Sequence, residues 1–122
     1  MKNVLIVDKD LGFLFWLGEI LAGANYQPWP ACNSADAINL MSSKRAVALD
    51  LLIVNASVRG ASSLITHFRR HRADLKVIAV DGPNRPLLGV DAWSERPDPV
   101  NTRAKQKWLR AIDRLLSYKR AA

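Results

Sequence analysis

The stretch LLIVNASVRG (51–60) decides the fold of this chain. Four apolar residues run without interruption into Asn55, and small or flexible residues follow. A continuous apolar run of this kind is typical of a strand that is covered on both faces, as in a parallel sheet. In open parallel sheets, the carboxyl ends of the strands line the ligand-binding crevice. We therefore expect Asn55 to lie at such a crevice, where it offers an amide in place of a carboxylate.

Four further segments have the character of strands. They are VLIV (4–7), YQPWPA (26–31), VIAV (77–80) and DAWS (91–94). Within the second of these, Pro28 and Pro30 cannot donate hydrogen bonds to a sheet. Because the two prolines are two positions apart, their missing N–H groups lie on the same side of the strand. We therefore predict that this segment is an edge strand, protected against further pairing.

Apolar spacing and capping residues predict four helices. They cover approximately residues 11–24, 35–43, 61–72 and 101–118, with Asp10 and Ser34 as the N-caps of the first two. Strands that alternate with helices indicate a parallel sheet with helices on both faces. Right-handed crossovers and an edge position for the second strand select the flavodoxin-like order 2-1-3-4-5. We predict an α/β fold in a single domain that covers residues 1–122.

Composition narrows the classes of function. The chain has 122 residues and a formal net charge of +7, which favours acidic partners such as nucleic acid or an acidic protein surface. A single cysteine argues against a disulfide framework or a cysteine metal cluster and fits a reduced cytoplasmic setting. The most apolar stretch, 11–22, is too short to span a bilayer, and a strand that starts at residue 3 leaves no room for a signal peptide. No membrane association is expected.

Polar residues follow the first, third and fourth predicted strands. Asp8, Lys9 and Asp10 follow the first strand, and Asp81 follows the fourth. The carboxyl ends of the first and third strands meet at the point where the strand order reverses. We therefore expect these four residues to gather with Asn55 in one crevice.

These residues resemble the receiver domain of two-component response regulators, the CheY-like family, and the resemblance covers nearly the whole chain. The matching segments are VLIVDKD (4–10), LLIVN (51–55), Gly60, VIAVDG (77–82) and GVDAWSERP (89–97). The first resembles the acidic cluster of the family, and the second resembles the strand that ends in the phosphate-accepting Asp. The last resembles the family's Gly-Ala-Asp-Lys-Pro signature. The resemblance implies a bacterial signalling context.

The departures from the family pattern fall on its working positions. Asn55 stands where the family has the phosphate-accepting Asp, and Lys9 stands where it has a second acidic residue. Asp81 replaces the terminal Thr or Ser of the fourth strand, and Arg96 replaces the Lys of the signature. Among the acidic residues of the family's pocket, Asp8 remains, together with Asp10.

These departures predict a pocket that does not accept phosphate. An amide is not a nucleophile at neutral pH. The Mg²⁺ that the family uses needs closely placed oxygen ligands, and we expect the ammonium of Lys9 to repel it. In the space of the metal and the phosphate we expect an internal network of ion pairs between two cations and three carboxylates. Its members are Lys9, Arg96, Asp8, Asp10 and Asp81.

The sequence leaves other interpretations of the crevice open. In one of them, the charges are solvated remnants of an unused site, since exposed ion pairs contribute little stability. In another, a weak metal site persists at Asp8 and Asp10. In a third, Asp81 accepts phosphate as a substitute carboxylate.

The stretch between Asp81 and Arg96 is where receivers usually contain a helix. PNRPLLG (83–89) disfavours a regular helix, because each of its prolines lacks a backbone donor. We predict that the fourth helix is missing or reduced, which uncovers part of the face that the family uses for dimerisation and output. The residues of the predicted interaction patch are Leu87, Leu88, Trp93 and Trp108. In the alternative, the leucines fold back over the gap, Leu88 more readily than Trp93.

Two basic segments invite other functions. His67 and His71 have the i, i+4 spacing of a zinc-binding pair, although HFRRHR (67–72) is also typical of a basic helix end that complements the helix dipole. TRAKQKWLR (102–110) and DRLLSYKR (113–120) give the last helix a second basic face, which suits an acidic partner or phosphates. No motif for specific DNA recognition is present.

Catalysis has no candidate in the sequence. We find no nucleophile–base pair, no phosphate-binding GxxxxGK loop and no GxGxxG fingerprint. The carboxylates of DKDLG (8–12) would repel the phosphate of a flavin mononucleotide. We therefore expect no enzymatic activity and no cofactor.

We predict a phosphorylation-independent pseudo-receiver that acts by binding a protein. The expected partner is a histidine kinase, another regulator, or a second copy of the chain in a homodimer. One alternative is a phosphorelay partner that binds a kinase without accepting phosphate. Another is a basic module associated with nucleic acid.

Overall fold

A computed structural model describes residues 1–81, 87–98 and 101–117. Strands and helices alternate along the chain, as the sequence predicts. In chain order the elements are β1 (Lys2–Val7), α1 (Leu11–Gly23), β2 (Tyr26–Ala31), α2 (Ser34–Leu40), α3 (Ser43–Val47), β3 (Leu49–Asn55), α4 (Ala61–His71), β4 (Lys76–Val80), β5 (Ala92–Ser94) and α5 (Ala104–Ser117).

The five strands form one parallel sheet in the order β2-β1-β3-β4-β5. This order confirms the predicted flavodoxin-like α/β fold. The strand β2 lies at an edge of the sheet, with Pro28 and Pro30 opposite Val4 and Ile6 of β1. The edge position is the one that prolines require, because they cannot donate to a second neighbouring strand.

Helices cover both faces of the sheet and enclose two hydrophobic cores. The core on one face contains residues of α1 and α5, among them Leu17 and Ile112. The core on the other face contains residues of α2, α3 and α4, among them Ala46 and Phe68. The apolar run 51–54 of β3 is fully buried between them. Its lack of polar alternation is thereby explained, since a central strand has no face in contact with water.

Trp108 belongs to the core between α5 and the sheet. It is 3% exposed, and the centroid of its ring lies 5.7 Å from that of Phe13. The prediction that Trp108 forms part of an exposed interaction patch is therefore wrong. Trp108 shares the inward face of α5 with Ala104 and Ile112, at the four-residue spacing that predicts burial.

The helix caps follow the sequence only in part. Asp10 caps α1 as predicted, by accepting a hydrogen bond from the backbone N–H of Phe13 at 3.2 Å. For α2 the predicted cap is wrong by one residue. Asn33 is the N-cap, because its side-chain oxygen accepts a hydrogen bond from the N–H of Asp36 at 2.7 Å. Ser34 is instead the first residue of the helix.

The helix that the sequence predicts over 35–43 ends at Leu40, and a second short helix follows that the sequence did not predict. The chain leaves the helical conformation at Met41, where φ is −100° and ψ is 79°. It resumes as the short helix α3 at Ser43. The buried side chain of Met41 and the buried Ala46 place both short helices against the same core.

Candidate functional site

The polar residues that follow three neighbouring strands meet at one crevice. Asp8 follows β1, Asn55 ends β3 and Asp81 follows β4. Among the residues that the structure describes, Asp8 and Asn55 are the buried polar side chains, with exposures of 1% and 3%. The predicted gathering is thus present in the structure for Asp8, Asn55 and Asp81. A buried carboxylate must be paired and hydrogen-bonded, so its neighbours define the chemistry of the crevice.

Arg96 reaches into the crevice from the segment after β5. Its Nη1 donates to Asp10 Oδ2 at 2.8 Å, and its Nη2 donates to the two oxygens of Asp8 at 3.3 and 3.4 Å. Its backbone N–H donates to Asp81 Oδ1 at 3.2 Å. One guanidinium therefore holds together three carboxylates that would otherwise repel each other.

The carboxylate of Asp8 has no acceptor position to spare. Its Oδ1 also accepts a hydrogen bond from the backbone N–H of Asp10 at 2.9 Å, and its Oδ2 accepts one from Asn55 Nδ2 at 3.2 Å. With the two contacts to Arg96, the four lone-pair positions of an ionised carboxylate are in use.

Asn55 is fixed by bonds on both ends of its amide. The nitrogen donates to Asp8, and the oxygen accepts hydrogen bonds from the backbone N–H and the hydroxyl of Ser57 at 2.9 and 2.8 Å. The bond to the backbone two residues ahead is the turn that Asn side chains commonly form. Asn55 therefore acts as a donor to a buried carboxylate, a role that an ionised Asp cannot take.

Lys9 does not enter the crevice. Its side chain is exposed and forms no ion pair or hydrogen bond with any residue that the structure describes. The prediction that Lys9 takes part in the ion-pair network, and repels a metal from within it, is therefore wrong. Lys9 directly follows Asp8, whose side chain turns inward, so Lys9 points to solvent. Arg96 is the cation in the crevice.

The guanidinium of Arg96 is also packed against an aromatic ring. Its Cζ lies 5.8 Å from the centroid of Phe13, within the range of a cation–π contact. Its Nε is buried and lies 3.2 Å from Asp81 Oδ2, but without the alignment of a hydrogen bond. Asp81 itself has φ of +50°, an uncommon conformation for a residue other than glycine. The side chain of Arg96 is 35% exposed, so the network lies at the rim of the crevice.

The donor set of the crevice does not fit Mg²⁺. This ion requires a near-octahedral set of oxygen ligands, usually including carboxylates. The oxygens of Asp8 are occupied as described, and those of Asp10 accept from Phe13 N and Arg96 Nη1. A magnesium ion would have to displace the guanidinium and the hydrogen bonds that it makes.

In the described part of the connection between β4 and β5, Arg69 forms a clamp, which is a set of hydrogen bonds and an ion pair that holds this segment. Residues 87–91 contain no helix, and residues 82–86, with both prolines of the predicted break, lie outside the described residues. Arg69 of α4 donates to the carbonyl oxygens of Gly89 and Leu75, and its Nη2 lies 3.0 Å from Asp91 Oδ2. Asp91 in turn accepts from the N–H of Val77 at 2.8 Å. These bonds fix the connection to both α4 and β4.

Leu87, Leu88 and Trp93 adjoin this clamp but differ in exposure. Leu87 packs against the core on the α4 side of the sheet. Leu88 is 84% exposed and Trp93 is 45% exposed. Leu88 therefore does not fold back over the gap, contrary to the alternative in which it would do so more readily than Trp93. Two exposed apolar side chains remain, Leu88 and Trp93, which we call the β5 patch.

The histidines of α4 form a pair without a third ligand nearby. The ring centroids of His67 and His71 lie 5.3 Å apart. Burial lowers the pKa of His67, and the nearby His71 and Arg70 lower it further. Within the described ranges, no group of three His, Cys, Asp or Glu side chains is placed to hold a metal ion.

Three residues of these arrangements were not anticipated from the sequence. Ser57 orients Asn55, and the spacing Asn-x-Ser is a turn signal that could have indicated it. Phe13 packs beneath the guanidinium of Arg96, and Arg69 clamps the connection before β5. Neither of the last two carries a local signal, since their partners are distant in sequence.

Solved structures share this fold, although no family model and no curated protein matches the sequence. A response regulator receiver domain protein from Clostridium thermocellum has a TM-score of 0.77 and 14% identity, with 95% of this chain and 94% of that chain covered. A CheY-like receiver domain protein from Methanospirillum hungatei has a TM-score of 0.71 and 22% identity, with 95% and 94% covered. The chemotaxis response regulator CheY4 of Vibrio cholerae has a TM-score of 0.75 and 17% identity, with 94% and 98% covered. The fold is thus that of response regulator receiver domains.

No helix in the described part of the chain combines the length and the apolar character needed to cross a membrane.

Proposed function

We propose that this chain is a signalling module of a two-component-type pathway that works by binding a protein and does not accept phosphate. The receiver-domain fold supports the signalling context. The observation that carries the rest is the guanidinium of Arg96, which bridges Asp8 and Asp10 beside Asn55. A cation of the chain itself lies where receivers gather carboxylates for a metal ion.

Two independent chemical requirements for phosphate acceptance are missing. The first is the nucleophile, because the amide of Asn55 does not attack phosphorus at neutral pH. The second is the metal site, because the oxygens of Asp8 and Asp10 are engaged by donors of the chain. Either loss alone opposes the reaction, and the two reside on different residues.

The network also supports a single conformation of the crevice. Arg96 follows β5, whereas Asp8 and Asp10 lie between β1 and α1, so the ion pairs join distant parts of the chain. The Asp8 end of this network is buried. A buried ion pair can fix a specific geometry even where it adds little stability. In this proposal the molecule presents a constant surface to its partner, a kinase, another regulator or a second copy of the chain.

The β5 patch is the part of that surface that we propose for protein contact. Leu88 and Trp93 are exposed apolar side chains beside a connection held rigid by Arg69. Exposed apolar residues on a rigid support commonly mark interfaces.

The intact mass of the protein tests the proposal. Incubation with Mg²⁺ and acetyl phosphate should leave the mass of the native chain unchanged. The Asn55→Asp variant should also remain unmodified, because Arg96 still occupies the oxygens of Asp8 and Asp10. The double variant Asn55→Asp/Arg96→Ala supplies a nucleophile and frees these oxygens, so it should gain one phosphoryl group.

Three outcomes would count against this reasoning. Modification of the native chain would overturn the proposal that it does not accept phosphate. Modification of Asn55→Asp alone would show that Arg96 does not exclude the metal. A double variant that folds but stays unmodified would show that something other than Arg96 closes the crevice.

A further inference from the structure

The outer face of α5 carries a row of cations. Arg103 directly precedes the helix, and Lys107, Arg110 and Arg114 follow at intervals of four, three and four positions. At 100° per residue these four positions fall within a narrow stripe, and they extend over about 16 Å at 1.5 Å per residue. All four residues are exposed. We call this row the α5 stripe.

The cations of the α5 stripe are not paired with a carboxylate in the described part of the chain. None of the four side chains forms an ion pair or a hydrogen bond within the part of the chain that the structure describes. Asp113 is the one carboxylate of α5. It lies near Tyr26, whose pKa is raised by burial and, in addition, by the charge of Asp113. The α5 stripe is therefore a local excess of positive charge on one face of the helix.

Helix stability does not account for the α5 stripe. Cations three or four positions apart on a helix repel each other, and three such pairs follow one another here. Lys107 lies in the first turn and Arg103 precedes it, where the positive end of the helix dipole disfavours cations. In α4 the basic residues occupy the last turn, where the dipole favours them, whereas in the α5 stripe this holds only for Arg114.

We propose that the α5 stripe binds the phosphodiester backbone of nucleic acid without reading its sequence. Consecutive Lys and Arg along one face of a helix are the electrostatic footprint of such a surface, and a sequence pI of about 10.1 agrees with it. This binding function is independent of the phosphate chemistry proposed above.

The composition of the stripe favours nucleic acid over an acidic protein. The other exposed residues on or beside this side of α5 are Gln106, Asp113 and Ser117, of which Gln106 and Ser117 are hydrogen-bond donors to phosphate. No exposed apolar residue lies among them. Protein interfaces need a desolvated apolar anchor and are depleted in Lys, whereas phosphates are bound by cations and polar donors alone.

Salt dependence of binding tests the proposal. A fluorescently labelled duplex of random sequence is titrated with the protein at several potassium chloride concentrations, and the anisotropy gives the affinity. If four phosphates are neutralised, the slope of log K against log salt is about −3.6, and a single strand gives about −2.8. A second random sequence should bind equally well.

Matched charge variants separate the α5 stripe from net charge. Arg110→Gln/Arg114→Gln should make the duplex slope less steep by about 1.8 and weaken binding about 60-fold at about 0.1 M salt. Arg59→Gln/Arg70→Gln removes the same charge from exposed positions that precede or lie on α4, and it should leave the slope unchanged. Gln is a good helix former, so the first variant should melt at the same temperature as the native chain or higher.

Each of the following results would overturn the proposal. One is that the native protein binds neither the duplex nor the single strand. Another is that both double variants weaken binding equally, which would assign the effect to net charge. Alternatively, polyglutamate of matched charge competes as well as unlabelled duplex, which would assign the α5 stripe to an acidic protein segment.

Discussion

Arg96 shows how one side chain can change what a crevice does. A lone carboxylate as buried as Asp8 would be costly, because its charge loses the solvation that water provides. The planar guanidinium serves Asp8 and Asp10 at once with separate nitrogens, which the single ammonium of a lysine does less well. Asn55 completes the arrangement, because an amide donates to Asp8 where a second carboxylate would repel it.

Removal of Arg96 should destabilise the fold. Arg96→Ala leaves Asp8 with two hydrogen bonds in place of four, and we expect the free energy of unfolding to fall by about 2 kcal/mol, since the guanidinium is partly solvated. Urea unfolding followed by circular dichroism measures this change. Arg59→Ala, at an exposed side chain without a partner in the described chain, should stay within about 0.5 kcal/mol of the native value. Equal stability of Arg96→Ala and the native chain would instead favour solvated remnants of an unused site.

The sequence could predict which residues gather in the crevice but not which cation enters it. The positions of Asp8, Asn55 and Asp81 follow from the strand order, because each lies at a carboxyl end. Lys9 and Arg96 were both predicted to pair with them. Only the three-dimensional path of the segment after β5 distinguishes the two, since it brings Arg96 over Phe13.

The described residues before β5 show how a segment without regular structure can be held in place by one side chain. In a helix the backbone carbonyl oxygens accept hydrogen bonds from backbone N–H groups. Here the guanidinium of Arg69 donates to the carbonyl oxygens of Gly89 and Leu75 instead. Gly89 has φ of +84°, and an added Cβ would collide with Arg69 Nη1. Glycine is therefore required at this point for both conformation and space.

Substitution at Gly89 should release the clamp. We expect Gly89→Ala to lower the free energy of unfolding by about 1 to 3 kcal/mol, because it adds strain and displaces Arg69. Gly18→Ala is the matched control, since an added Cβ in α1 meets no atom within 4 Å. It should raise stability by up to about 1 kcal/mol through helix propensity. Thermal unfolding of both variants gives the comparison, and a neutral Gly89→Ala would contradict the clamp.

The strands and the long helices were predictable because the signal for each lies within one short segment of the sequence. The apolar run of β3 and the prolines of β2 indicated their places in the sheet. The sequence did not predict that α2 ends at Leu40 or that its cap is Asn33. Both features depend on contacts with other parts of the chain. The same holds for Arg69, whose partners lie in segments that are separate in sequence.

The whole sheet has two unlike edges. At β2 the prolines remove donors, which protects this edge from pairing with another chain. At the other edge, β5 is only three residues long, from Ala92 to Ser94, and exposes Trp93, and Leu88 is exposed in the segment that leads to it. A protein partner is therefore expected on the β5 side of the molecule.

Light scattering over a range of concentrations tests a second copy as that partner. We expect the native chain to form a dimer and Leu88→Asp to remain a monomer, because a charge on the β5 patch must be desolvated on association. Leu11→Asp adds the same charge at an exposed apolar residue of α1 and should not change the dimer. A native chain that stays monomeric would exclude self-association and direct the search to another regulator or a kinase.

The tethering of Arg96 to the backbone has a consequence for regulation. A bound ion or a phosphoryl group comes and goes with supply, so its occupancy can report on the state of a cell. A guanidinium that is part of the polypeptide has no dissociation constant, cannot be removed by a chelator and is present from the moment of folding. In the function proposed above, each copy of the molecule would have one activity, and the cell would adjust its signal through synthesis and degradation.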